Sequence, residues 1–255
     1  MIRFHDNMSG RADRFQVLGE RCSGTNYLHH LIIRNLPELQ VSSEYHWKHG
    51  FIDRRTAASP GLLTLVIYRH PLRWLHAVHN HPWELSASMK GIPFDAFIRC
   101  PWRAAWDHGG REEPIQSDMQ PHTMTPFANA LRLRNAKVKW LEGLAEMPGN
   151  IAFIRYEDLN RHPRACIETL ANHAGLAPIE HFVPVPAYKG DRNRAYRPRP
   201  QATTSATDMA FINSELDLAQ EQELGYLPEH PPQHDGLPWW DKRVIHARLR
   251  SLIRA

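Results

Sequence analysis

The chain has 255 residues, 42% hydrophobic and 23% charged, with a formal net charge of +4. These values exclude a disordered or fibrous polymer, and so mild a positive excess suits an anionic small molecule rather than nucleic acid. Cys22, Cys100 and Cys166 are odd in number and widely spaced. They make neither a metal nor a disulfide framework, and the expected location is the reducing cytoplasm. The N-terminal MIRFHDNMSGRADRF has no apolar core of signal-peptide length. No apolar run reaches the roughly eighteen residues of a transmembrane helix.

In chain order, Phe15–Leu18 reads as a short strand entering a turn at Gly19. Leu28, Leu31, Ile32 and Leu36 then recur at helical spacing until Pro37. Leu62–Tyr68 (LLTLVIY) is a continuous apolar run between Pro60-Gly61 and Pro71, as expected of a parallel strand buried on both faces. A short helix follows over Leu72–His79. Residues 80–124 are rich in Pro, Trp, His and Gly without a clear period, and read as an irregular excursion or acceptor lid. Thr125-Pro126 predicts an N-cap with Pro at the first helical position, opening a helix from Phe127 to Met147. Ile151–Tyr156 is a third strand, followed by a helix from Pro163 to Ala174 closed by Gly175. Residues 176–207 are a basic loop, and a helix is predicted over Asp208–Leu224. The tail 227–255 ends in a basic segment with helical potential. Alternating strands and helices without an internal repeat predict one domain over 1–255. Its expected class is α/β, a P-loop-type, doubly wound, mostly parallel sheet with helices on both faces.

Gly19-Glu20-Arg21-Cys22-Ser23-Gly24-Thr25-Asn26-Tyr27 lies between a strand and a helix, with glycines spaced as in G-x-x-x-x-G-K-[ST]. Successive backbone N–H groups in such a loop curl round an anion, and the helix N-terminus adds partial positive charge. Thr25 follows Gly24 where a triphosphate loop has lysine, so the loop has the shape for phosphate without the detail for ATP and magnesium.

Here the sequence resembles the sulfotransferase family, which moves a sulfuryl group from 3′-phosphoadenosine 5′-phosphosulfate (PAPS) to an acceptor. Gly19–Tyr27 is similar to its 5′-phosphosulfate loop, with S-G-T at the core. Tyr68-Arg69-His70-Pro71 is similar to the R-[DN]-P turn of its 3′-phosphate site. Arg155-Tyr156-Glu157-Asp158-Leu159 matches its R-Y-E-D-L, and Phe211–Tyr226 its closing helix with L-G-Y. The branch it most resembles has G-x-R-x-S-G-T-N followed by W-K-H-G. Cys22 stands where the family often has lysine, with Arg21 as the alternative charge, and Ala77 where it often has serine.

The resemblance implies a donor site of Gly19, Arg21, Cys22, Ser23, Gly24, Thr25, Asn26 and Tyr27 with Arg69, His76 and Arg192. PAPS would be the cosubstrate and adenosine 3′,5′-bisphosphate the product. It also places a general base in His46-Trp47-Lys48-His49-Gly50-Phe51. His49 is the expected base, because a neutral imidazole can take the acceptor's proton, with Lys48 and Arg21 stabilising charge on the leaving group. Trp83, Trp102 and Trp106 form a candidate acceptor platform. The close spacing of His76, His79 and His81 raises a metal site, but no acidic or cysteine ligand accompanies them, so no metal is expected. The resemblance implies a small-molecule or carbohydrate acceptor with a hydroxyl or amine, and the sequence leaves lipid and peptide open as well. A kinase-type phosphotransferase and a non-catalytic nucleotide-binding module are the competing readings.

Overall fold

The run Leu62–Tyr68 forms a strand buried at all 7 positions, because it has strands on both sides and packed layers above and below. The computed structural model describes residues 2–6, 11–51, 60–186 and 203–226. In chain order the elements are β1 (Arg3–Asp6), β2 (Arg14–Leu18), α1 (Thr25–Asn35), β3 (Gln40–Val41), β4 (Leu62–Tyr68) and α2 (Pro71–Asn80). Next come α3 (Phe94–Arg99), β5 (Ala105–Asp107), β6 (Glu112–Pro114), α4 (Ala130–Glu142) and β7 (Asn150–Arg155). The last are α5 (Tyr156–Arg161), α6 (Pro163–His173), α7 (Ala206–Glu215) and α8 (Leu218–Glu223).

The fold is α/β. A 5-stranded sheet has the order β1-β7-β4-β2-β3 and is parallel throughout except for β1, which pairs antiparallel with β7. Side chains alternate across the pleat, so β4 feeds both layers. Leu63, Leu65 and Ile67 pack with Leu28, Leu31 and Ile32 of α1 and with Ile167 and Leu170 of α6. Leu62, Val66 and Tyr68 pack on the opposite face with Val138 and Leu141 of α4. Helices therefore flank both faces.

β2 leads through α1 to β3 on one side, whereas β4 lies on its other side and leads on toward β7. The carboxyl ends of β2 and β4 thus flank a topological switch point, the crevice in which open α/β sheets place ligands.

Several predicted boundaries change. The α4 helix starts at Ala130 and its cap is Asn129, whose side chain accepts from the N–H groups of Leu131 and Arg132. A side-chain acceptor that satisfies two otherwise open donors outweighs the Thr125-Pro126 signal. The helix predicted over Asp208–Leu224 is two helices, because the chain leaves helical geometry at Leu216 and Asp217 starts the second by accepting from Gln220 N. Residues 80–124 contain α3, the β5–β6 hairpin and two short 3₁₀ turns. Phe97, Ile98 and Trp102 from this stretch are buried with Trp74, Leu75 and Leu131 in a further apolar cluster. The segment is thereby packed into the body of the protein, with Trp83 exposed and Trp106 half-buried. Tail residues 227–255 lie outside the described residues. Among those described, no helix is long and apolar enough to cross a membrane.

Candidate functional site

The loop after β2 folds tightly against the ends of two neighbouring strands. A Cβ at Gly19 would lie 2.5 Å from the carbonyl oxygen of Ile67, at the end of β4. Gly24 has φ 104°, and a Cβ there would enter the edge of the Tyr156 ring, just after β7. Both positions need glycine, because a carbonyl at Gly19 and an aromatic ring at Gly24 leave no room for a side chain. Cys22 takes φ 59°, an uncommon left-handed geometry for a residue with a side chain. Ser23 is buried and bends back, its N–H and its hydroxyl both donating to Glu20 O.

This geometry leaves the start of α1 open to an anion. Gly24, the cap residue, offers no side-chain acceptor, and the first turn carries no acidic residue. The opening N–H groups of any helix lack intrahelical partners and carry partial positive charge. Asn26, in that turn, accepts from Lys48 Nζ at 2.6 Å, which brings a cation to the loop. Tyr27 rests edge-on against Tyr156, with ring centroids 6.3 Å apart.

Arg69 follows β4 and reaches back to the loop. Its Nη1 donates to Cys22 O at 2.9 Å, its guanidinium lies over the Tyr156 ring, and its Nε is buried without a hydrogen-bond partner among the described residues. The next residue, His70, donates its N–H to Glu157 Oε1, while Tyr226 donates its hydroxyl to Glu157 Oε2. Arg155 donates to Gly225 O. Four segments far apart in sequence, 19–27, 68–71, 155–159 and 225–226, therefore meet at the carboxyl edge of the sheet.

His49 is held at the same place by several elements. Gln16 of β2 accepts from Tyr45 N and donates to His46 O, and Gly19 N donates to Lys48 O. Lys137 of α4 donates to His49 O. The imidazole Nδ1 lies 2.7 Å from Gly19 O. A carbonyl can only accept, so Nδ1 carries the proton and Nε2 the lone pair. Burial, with Arg21, Lys48 and Lys137 nearby, lowers the His49 pKa to about 3, so the ring is neutral at pH 7.

Arg21 is buried, and its Nη1 donates to Asp118 Oδ2 at 2.7 Å. Trp47 lies 4.7 Å and Trp102 5.7 Å from its guanidinium carbon. Asp118 also accepts from Lys137 at 2.5 Å and from Trp102 Nε1 at 2.7 Å. Burial pushes the Asp118 pKa up, but Lys137 and Arg21 together outweigh it and hold it below the ordinary carboxylate value. A narrow cavity of about 10 Å³, room for one small polar group, is lined by Glu20, Arg21, His49, Trp102, Asp118 and Lys137 among others.

The other expected residues divide. Cys22 Sγ donates to His81 O, and burial raises its pKa to about 11, so the thiol stays protonated at pH 7. His76 is buried against Phe94, its Nε2 is 2.9 Å from Thr204 Oγ1, and burial lowers its pKa to about 4. These contacts bind it to the packing around α3. Arg192 lies outside the described residues. His79 Nε2 bonds Ile92 O, and no group of three or more candidate metal ligands forms among the described residues.

The sequence reading missed Asp118, Lys137, Arg134, Glu20 and Glu221, all buried. For Arg134 a signal exists. It falls three residues after Leu131 and four before Val138, on the apolar stripe of α4, where a charge needs a buried partner. No family model matches the chain, and no curated protein matches it.

Proposed function

We propose that the chain is a PAPS-dependent sulfotransferase on a P-loop-type fold, acting on a hydroxyl or amine of a small-molecule or carbohydrate acceptor. The observation that carries this reading is the meeting of the Gly19–Tyr27 loop with the Arg69 turn at the switch point, beside a neutral histidine. The residues fit the donor on two counts. Among the described residues, no side chain caps the start of α1, and Arg69 has a buried donor, Nε, without a partner.

PAPS would supply the activated sulfuryl group and the phosphate on which it leaves. Backbone N–H groups of the loop from Cys22 to Asn26, apart from that of Ser23, which is turned to Glu20 O, would hold the 5′ end, and Arg69 the 3′-phosphate. Lys48, whose Nζ donates to Asn26, would stabilise negative charge growing at the 5′-phosphate. His49 Nε2 would take the acceptor's proton as the new bond to sulfur forms, with the Nδ1–Gly19 hydrogen bond holding the ring. Arg21 commits Nη1 to Asp118, while its buried Nη2 has no hydrogen-bond partner among the described residues and would remain available to negative charge on the leaving group.

That commitment also favours a second reading, a nucleotide-binding module without turnover. Calorimetry with adenosine 3′,5′-bisphosphate, 5′-AMP and ATP separates the cases. The first reading expects binding near micromolar, about −8 kcal/mol, without magnesium and with a clear loss for 5′-AMP. Arg69→Ala removes that preference. A preference for ATP with magnesium overturns the reading in favour of a kinase-type enzyme. Bisphosphate binding without release of adenosine 3′,5′-bisphosphate from PAPS, across a panel of hydroxyl and amine acceptors, supports the binding module.

A further inference from the structure

One guanidinium touches both halves of this site. Arg134 is fully buried on α4. Its Nη1 donates to Glu20 Oε2 at 2.8 Å, and its Nη2 to the backbone oxygen of Arg69 at 2.9 Å. Its Nε and Nη2 donate to the two carboxylate oxygens of Glu221, at 2.5 and 2.9 Å. Trp74 lies 5.5 Å from its guanidinium carbon. Glu20 belongs to the Gly19–Tyr27 loop, and Arg69 is the residue whose side chain bonds Cys22 O.

The guanidinium is planar and holds its donors in a fixed fork, so the separation of Glu20 from the Arg69 carbonyl is set by covalent geometry. Glu221 grips the fork bidentately from α8 and fixes its plane. A buried ion cluster of this kind adds little to stability over an apolar replacement of the same volume. Its distinctive property is directional, since it fastens one loop to another at a set distance.

We infer that Arg134 is a positioning residue that fixes the spacing between the Gly19–Tyr27 loop and the Arg69 turn, so that a ligand with a phosphate at each end meets both at once. The inference rests on reading these two segments as one donor site. It assigns Arg134 no contact with the ligand. It makes the advantage of a second phosphate depend on a side chain that touches neither phosphate.

The test is calorimetric titration of the full chain, as wild type, Arg134→Lys and Glu221→Gln, with adenosine 3′,5′-bisphosphate and 5′-AMP. Lysine keeps the charge but lacks the planar fork that sets the separation of Glu20 from the Arg69 carbonyl. The ratio of the two affinities falls about tenfold in Arg134→Lys, while 5′-AMP binding shifts by less than about threefold. Glu221→Gln leaves Arg134 in place, keeps the fold by thermal melt, and lowers the ratio by a smaller factor. Equal weakening of both nucleotides in both variants means a merely structural role and overturns the inference. An unchanged ratio in Glu221→Gln, should Arg134→Lys not fold, overturns it as well. Wild type that shows no preference for the bisphosphate sinks the donor-site reading itself, and this inference with it.

Discussion

The His49 imidazole donates from Nδ1 to the carbonyl oxygen of Gly19 across 2.7 Å, so the candidate base and the Gly19–Tyr27 loop share one hydrogen bond. That bond fixes the tautomer, and burial among Arg21, Lys48 and Lys137 keeps the ring uncharged. With a folded pKa near 3 and an ordinary value of 6.5, the unfolded chain takes the proton first. Stability from this group is therefore present above pH 6.5 and is lost as pH falls toward 3. Nitrogen-15 NMR of the His49 ring is expected to show a neutral, Nδ1-protonated imidazole at pH 5. Adding adenosine 3′,5′-bisphosphate is expected to raise its pKa, because the anion offsets the surrounding cations. A His49 that is charged at pH 5 in the free protein contradicts the burial argument.

Asp118 carries the charge of two buried cations, Arg21 and Lys137. Removing one partner of a buried ion cluster leaves charge without compensation. Asp118→Asn is therefore expected to cost about 3 kcal/mol or more in urea unfolding. Replacing Trp102 with Phe deletes the Nε1 bond to Asp118 and some buried ring packing but leaves both ion pairs, and is expected to cost less. If Asp118→Asn shifts stability by under about 1 kcal/mol, the cluster does not hold the loop to the 80–124 segment.

Glu20 is the buried carboxyl whose pH behaviour runs opposite to that of His49. Burial raises its pKa from 4.5 to about 7, only partly offset by Arg134. A raised folded pKa means that the native state holds the proton longer than the unfolded chain. The contribution of Glu20 to stability therefore falls as pH rises from 4.5 to 7. Glu20→Gln cannot titrate. Compared with wild type, the variant is expected to gain about 2–3 kcal/mol between pH 5 and pH 7.5. The contributions of His49 and His76 cancel in this comparison, because both proteins contain them. A difference that stays constant with pH rules out a raised Glu20.

Gly24→Ala places a methyl group against the Tyr156 ring, at a backbone φ of 104° that side chains rarely adopt. It is expected to destabilise the protein by about 1–3 kcal/mol and to weaken bisphosphate binding. Combining it with Tyr156→Ala removes the clash but not the backbone strain. The double variant should recover part of the stability relative to the sum of the two single changes. Strict additivity in thermal unfolding means that ring and loop do not touch.

Local pattern determined much of this protein. The continuous apolar run 62–68, the strand–glycine–helix corner at 15–36, and Pro163 with Gly175 around α6 each state their element through short-range sterics and burial. The strand–turn–helix form of Gly19–Tyr27 was legible for the same reason, since glycine spacing and the following helix are local properties. Tertiary structure decided what the charges do. Arg134 and Lys137 lie on α4, Asp118 in the 3₁₀ turn before it, and Glu221 on α8, and no spacing rule links them. Their pairing follows from burial, because a charge taken out of water must find an opposite charge wherever the fold has placed one. The same holds for β1, whose short sequence RFHD becomes a strand only because β7 offers it an open edge.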